Sequence, residues 1–262
     1  MRIGSRAREA VLPLAGTEAG RVELGVGAGG DHTMELDRAA EAVVFAELEA
    51  AAEQGERFSV LSEESGHRNF GAEYPLVLVD PVDGSLNAKQ GLPLFAMMLA
   101  LLDGPAVQDT VAGCVVNLVT GDSWTAIRKQ GAFRAGKPFR AQPSGRSDRI
   151  QILGLEMSAR SLAAARPLLE RSNKVRILGS MALGIVHTVA GGFDAFCAPA
   201  PMRVFDMAAS LLVLTEAGGV ATDVRGKSLG SLACTLETRT SLLCAPSQQL
   251  HAAAMRALGA AE

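Results

Sequence analysis

Three strings in this chain set carboxylates beside turn-forming residues: Ser62-Glu63-Glu64-Ser65-Gly66, Asp80-Pro81-Val82-Asp83-Gly84-Ser85, and Phe205-Asp206 at the start of an apolar helical run. In the second, the short run from Pro75 to Val79 delivers Asp80 at its carboxyl end. Pro81 turns the chain, and Asp83 returns on the same side three residues later. Two carboxylates in such a turn can bracket a divalent cation, with the Val82 carbonyl between them as a further oxygen ligand. Bunched carboxylates repel one another unless a cation neutralises them, and hard oxygen donors without His or Cys favour Mg²⁺ or Mn²⁺ over zinc. Gly84 and Ser85 add backbone N–H groups where an anion can come close. A metal beside an amide nest is a receptor for phosphate. Taken singly, each string also has an ordinary structural reading as a solvated turn, an exposed acidic pair or a helix cap. A calcium-binding EF-hand is excluded, because Asp80 and Asp83 are out of phase with its ligand positions and Gly91 stands where its closing Glu belongs.

These residues need elements to hold them. Residues 5–19 read as helical with an interruption at Pro13, and the glycine-rich loop Gly25 to Asp31 follows. From Met34 to about Glu53, Leu36, Ala40, Val43, Val44 and Leu48 recur at helical spacing. The period then shortens: 58–61, 75–79, the run through Leu102, 112–119 and 123–127 read as strands, with Thr120-Gly121-Asp122 as a turn. The first half is thus helix followed by a mostly antiparallel sheet. From Arg149 strands and helices alternate: a strand at 149–155, a helix at 160–171, strand VRIL, a helix at 180–190, strand FDAFC and a helix from Asp206 to Ala217 closed by Gly218-Gly219. Strands GVATD and SLLCA and a last helix after Pro246-Ser247 complete an α/β second half. The segment 141–148 is the expected seam between halves 1–142 and 143–262, which form one compact unit.

Jointly the motifs are far more specific than any one of them. The chain resembles the Mg²⁺-dependent inositol monophosphatase family of the fructose-1,6-bisphosphatase superfamily through SEESG from Ser62, LVDPVDGSLN from Leu78, GDSWTAIRKQGAFRAGKP from Gly121, GSMALGIVHTVAGGFDAF from Gly179 and VFDMAASLLVLTEAGGVATD from Val204. MRVFDMAA and GAGGDHTMELD are similar to strings of the archaeal-type members that act on both inositol phosphate and fructose bisphosphate. The resemblance implies a layered α/β/α/β/α sandwich of the sugar-phosphatase type. It implies Glu63, Asp80, Asp83, Asp206 and the Val82 carbonyl as ligands for two or three Mg²⁺, with Mn²⁺ as a possible substitute. It also implies phosphate held by the Gly84 and Ser85 amides, and an attacking water activated by metal and oriented by Asp37, Glu63 and Ser85, with Asp37 bonded to the Ser85 hydroxyl. Gly179, Ser180 and Arg203 fall at substrate-contacting positions. A homodimer and lithium sensitivity are further expectations carried from relatives.

Departures from the family pattern bear on the substrate. Phe205 replaces the usual Trp and Ser210 the usual Gly, both changes in packing. Pro199 stands where inositol-specific enzymes carry a Glu, so inositol hydroxyl contacts are in question; Arg203 suits a hydroxyl or a second phosphate. Nucleotide phosphates, NADP and histidinol phosphate are used by relatives with the same metal core, so the leaving group stays open.

Other function classes fare worse. Gly25-Val26-Gly27-Ala28-Gly29-Gly30 has the G-x-G-x-x-G form of a dinucleotide-binding turn, but Asp31 puts a negative charge where a pyrophosphate would sit. A non-catalytic binding protein is the remaining alternative, against which all the carboxylates are present. The 262 residues, 48% of them hydrophobic, can bury a sizeable core, which excludes disorder as the overall class. Four dispersed cysteines suggest neither zinc nor disulfides, and the apolar run Leu92–Leu102 is about half of the ~20 residues a membrane span needs. A cytoplasmic protein is expected. The net charge of −3 and the lack of a basic run argue against extended nucleic acids. Setting the four carboxylate ligands aside leaves +1, so one site accounts for the acidity, and three Mg²⁺ would turn that site locally positive. Incubation with NAD should therefore give no thermal shift, and a clear stabilisation by NAD would overturn this reading of the glycine-rich loop.

Overall fold

The computed structural model describes residues 2–142 and 149–259; six of the eight residues of the expected seam, 143–148, lie outside them. Helix α1 (Arg2–Val11) ends well short of the expected residue 19, because Pro13 removes a backbone donor and the chain passes into turns. Strands β1 (Glu23–Val26) and β2 (His32–Met34) form an antiparallel hairpin, so the glycine-rich segment is a hairpin connection and not a strand-to-helix turn. Helix α2 (Glu35–Glu53) follows. Strands β3 (Ser59–Ser62), β4 (Gly66–Asn69) and β5 (Leu76–Asp83), the short helix α3 (Ser85–Gln90), then β6 (Ala96–Leu102), β7 (Thr110–Asn117), β8 (Ser123–Ile127), β9 (Gly131–Arg134) and β10 (Lys137–Phe139) complete this half. Their sheet runs β10-β9-β8-β7-β6-β5-β3-β4 and is antiparallel except where β3 meets β5.

The second half comprises β11 (Ile150–Leu155), α4 (Leu162–Leu169), β12 (Ser172–Ile177), α5 (Met181–Val189), β13 (Ala195–Arg203), α6 (Ala208–Ala217), β14 (Val220–Thr222), β15 (Arg239–Ala245) and α7 (Gln248–Leu258). Its sheet runs β12-β11-β13-β15-β14, with β12, β11 and β13 parallel. The helix expected from Asp206 opens as a 3₁₀ turn, Phe205–Met207, before α6 begins.

Period-two patterning stacks these elements into five layers. In β6, Met98 and Ala100 face α5 and α6, while Met97 faces α1 and α2. In β15, Leu242 and Cys244 join the same central core, while Leu243 packs under α4 and α7. Helices α5 and α6 are buried nearly all round, as helices sandwiched between two sheets must be. The order is α1/α2, eight-stranded sheet, α5/α6, five-stranded sheet, α4/α7: the α/β/α/β/α sandwich expected. Among the described residues no helix is long and apolar enough to cross a membrane.

This stacking brings α6 hard against β7 at Gly113, where an added Cβ would lie 2.8 Å from the Ala209 carbonyl oxygen and 2.9 Å from its Cα. Backbone atoms cannot swing aside as a side-chain tip can. Gly113→Ala should therefore destabilise the fold by about 1–3 kcal/mol, read as a lowered urea midpoint with unchanged slope; an unchanged midpoint would show that the layer spacing is slack.

Candidate active site

Strand β5 ends the apolar alternation of the large sheet with Asp80, and a register irregularity against β6 between Asp80 and Asp83 re-aims the turn. Glu63 follows β3, the parallel neighbour of β5, so both carboxylates emerge at the same sheet end. Asp206 arrives from the 3₁₀ turn beneath α6. Carboxylate oxygens of Glu63, Asp80 and Asp206 lie within 4.8 Å of one another. Asp80 and Asp206 are buried, and among the described residues Asp206 Oδ1 has no hydrogen-bond partner. A cavity of about 90 Å³ opens on this triad, with Val82, Gly84 and Ser85 also in its wall. A larger cavity of about 660 Å³ between β12 and α7 has no such cluster among the described residues, so the chemistry and not the volume selects the site.

Asp83 shares the same wall but spends its oxygens differently. Its Oδ1 accepts from the Met181 amide at 3.0 Å, and its Oδ2 accepts from the Ala182 amide at 2.7 Å and from the Ser180 hydroxyl. It thereby caps the first turn of α5, where a negative charge is favoured. Ser180 also accepts from the Leu183 amide and so caps the same helix. Gly84, at φ 91°, occupies the left-handed region, and a Cβ there would meet the Gly179 carbonyl at 2.8 Å. Asn87 fastens this approach: its Nδ2 donates to the carbonyls of Leu178 at 2.6 Å and Leu94 at 2.7 Å. Sequence reasoning gave Asn87 no role, although it lies within LVDPVDGSLN.

Asp37 is buried at the first turn of α2 and accepts from the Met34 amide at 2.8 Å. Among the described residues no hydrogen bond joins it to Ser85, which corrects that expected contact. Its short side chain is satisfied locally, within its own helix turn. Arg203, expected at a substrate-contacting position, pairs with acidic residues of the site. Its Nε donates to Asp206 Oδ2 at 2.9 Å, Nη2 pairs with Glu63, and Nη1 lies 3.1 Å from Asp31 Oδ2. The pairing with Glu63 was not legible, because that residue lies 140 positions away. Glu64, held by the Thr33 hydroxyl, and the half-buried Glu156 near Asp83 are further carboxyls for which the strings named no partner.

Burial and crowding shift these groups together. Burial pushes Asp206 up to about 7 against the pull of Arg203. Burial, with repulsion from Glu63, Asp83 and Asp206, holds Asp80 well above the usual carboxylate range. Burial likewise raises Asp37 to about 8 and Glu64 to about 7. Asp83 reaches only about 6, because its hydrogen bonds from Ser180, Ala182 and Met181 oppose desolvation. An unpartnered oxygen, hard donors and mutual repulsion are what a divalent cation resolves, so the residues fit such an ion.

A layered sugar-phosphatase fold with an acidic cluster beside a tight glycine turn defines a phosphoric monoester hydrolase, and sequence comparisons agree. The chain belongs to the inositol monophosphatase family, which it matches over residues 2–261. It is 32% identical to a fructose-1,6-bisphosphatase/inositol-1-monophosphatase of Methanothermobacter thermautotrophicus, across 98% of this chain and 94% of that one. A bifunctional NADP phosphatase/NAD kinase of Methanococcus maripaludis is 27% identical over 96% of this chain but only 47% of its own length. Among solved structures, the extragenic suppressor protein SuhB of Bartonella henselae superposes with a TM-score of 0.81 at 26% identity, covering 98% and 95% of the two chains.

The raised carboxyls fix a sign for pH dependence. A carboxyl whose pKa rises on folding binds more protons in the native state, so its contribution to stability is complete below its ordinary value near 4 and is lost as pH rises through about 7. In chelator, the urea midpoint should therefore fall between pH 5 and pH 8, and Asp206→Asn should flatten that fall. A flat wild-type profile would contradict the burial of these charges.

Proposed function

We propose that the protein hydrolyses a small phosphorylated polyol or sugar, inositol-1-phosphate, fructose-1,6-bisphosphate or both, with Mg²⁺ as cofactor and Mn²⁺ as a possible substitute. The observation that carries this reading is the Glu63, Asp80 and Asp206 triad opening on the same cavity as Gly84 and Ser85. Glu63, Asp80, Asp206, Asp83 through its remaining lone pairs, and the Val82 carbonyl would hold the cation. When bound, it would lower the pKa of a water, neutralise charge gathering on the phosphoryl oxygens and stabilise the departing alkoxide.

The chain's own groups do the rest. The Gly84 and Ser85 amides hold phosphate oxygens, and Gly84 permits the close approach. Glu63, Ser85 and Asp37 orient the attacking water for in-line displacement, and no phosphoenzyme is required. Gly179 and Ser180, fixed by Asn87 and Asp83, contact the alcohol part of the substrate, and Arg203 offers a fork for a hydroxyl or second phosphate. The relative named as an NADP phosphatase supports a second reading, the same chemistry on a nucleotide phosphate.

Phosphate release measured with and without Mg²⁺ against inositol-1-phosphate, fructose-1,6-bisphosphate, histidinol phosphate, 3′-phosphoadenosine phosphate and NADP tests both readings. Release from the first two, dependent on Mg²⁺, is expected. No release from any of them by folded protein would overturn the hydrolase mechanism. Asp80→Asn should cut turnover below about a tenth of wild type by removing a shared charge, while keeping or raising the metal-free melting temperature, because it removes one repelling carboxylate.

A further inference from the structure

The glycine-rich hairpin and Arg203 are the features the proposed chemistry leaves least explained, and they touch. The guanidinium, 13% exposed, contacts two groups of the cluster, Asp206 and Glu63, and two groups of the hairpin, Asp31 and the Gly29 carbonyl at 3.3 Å. The glycines make this possible. A Cβ on Gly29 would lie 2.5 Å from Arg203 Nη1 and 2.9 Å from Glu63 Cγ, and one on Gly27 would lie 2.6 Å from Glu64 Oε2. The hairpin also has its own anchorage, since the Gly29 amide donates to the Glu63 carbonyl at 2.7 Å and the Ala28 amide to the Glu64 carbonyl at 2.9 Å. It can therefore stay in place whether or not Arg203 remains on the carboxylates.

We propose that Arg203 is an internal competitor of the divalent cation: the guanidinium and the ion share Glu63 and Asp206, and loading the site drives Arg203 off those carboxylates onto the hairpin. This rests on the metal reading given above. A guanidinium keeps its charge at any ordinary pH, so it cannot yield the site by losing a proton and must move. Three carboxylates and one arginine leave two negative charges when all are ionised, and each carboxylate already paired attracts a second cation less. Asp31 is exposed and in reach, so the displaced side chain has a partner within the hairpin and turns its fork toward the cavity mouth. Arg203 would then set how much Mg²⁺ the site needs and present a cation to substrate only after the ion is in place.

A fixed clip between the hairpin and the base of α6 would behave otherwise. Its removal would loosen the site and weaken metal binding. Calorimetric titration of Mg²⁺ into wild type, Arg203→Met and Arg203→Lys separates the two. Arg203→Met should bind at least about tenfold tighter, because the competing charge is gone. Arg203→Lys should fall between, since it keeps the charge but cannot span two carboxylates. Independently of any folding defect, the Arg203 Nε–H resonance of wild type, assigned by its absence from Arg203→Lys, should shift and lose protection from exchange as Mg²⁺ saturates. Mg²⁺ binding by wild type with Arg203→Met no tighter, or an unmoved Nε–H signal at saturation, overturns the competition alone. No Mg²⁺ binding by any of the three overturns the metal reading and the competition with it.

Discussion

The structure turns on a repulsion. Glu63, Asp80 and Asp206 are pressed within 4.8 Å of one another at the meeting point of two strands and a helix base, where water can do little to screen them. Left alone, such a group would open or take up protons. Here it is held shut by the layers around it: β3 and β5 fixed in parallel register, α6 wedged against β7 without room for a methyl group at Gly113, and Arg203 threaded between two of the carboxylates. The fold tolerates a locally unfavourable arrangement because a large apolar core packs around it.

Asp83 shows how one side chain can serve both fold and site. It belongs to the turn after β5, yet its oxygens receive the first amides of α5 from the other half of the chain. The same contact fixes Ser180, and Asn87 fixes the carbonyl of Leu178 next door. This wall of the cavity is therefore built from hydrogen bonds between halves and not from loops left to find their own positions. Preorganisation of this kind keeps donors aimed before a ligand arrives.

Much of this was legible from residue types. The period-two runs located the long strands, the helical spacing of Leu36, Ala40 and Val44 located α2, and the bunching of acidic residues by glycine turns marked Glu63, Asp80 and Asp206. The short hairpins were harder to find. Strands β4, β9 and β10 have three or four residues each, too few to show a period, and β1 is exposed throughout. The pairing of Arg203 with Glu63 and of Asp83 with Ser180 was invisible for a different reason: it is set by the stacking of layers, over separations of 140 and 97 residues, which local spacing does not encode. Asp37 illustrates the converse, a residue whose local capping geometry satisfied its carboxylate where the long-range contact was expected.

The sandwiching of α5 and α6 between two sheets also imposes an order on synthesis. Among the described residues, one face of the eight-stranded sheet, with Leu78, Met98, Val115 and Trp124, is covered in large part by elements between Met181 and Ala217, so a growing chain completes that sheet some forty residues before this cover begins. During that interval a broad apolar face stands open to water and to other nascent chains. Asp206 arrives with the same stretch, so the chain gains its acidic triad and covers much of that apolar face together. Catalytic competence and resistance to aggregation then begin at one point in translation.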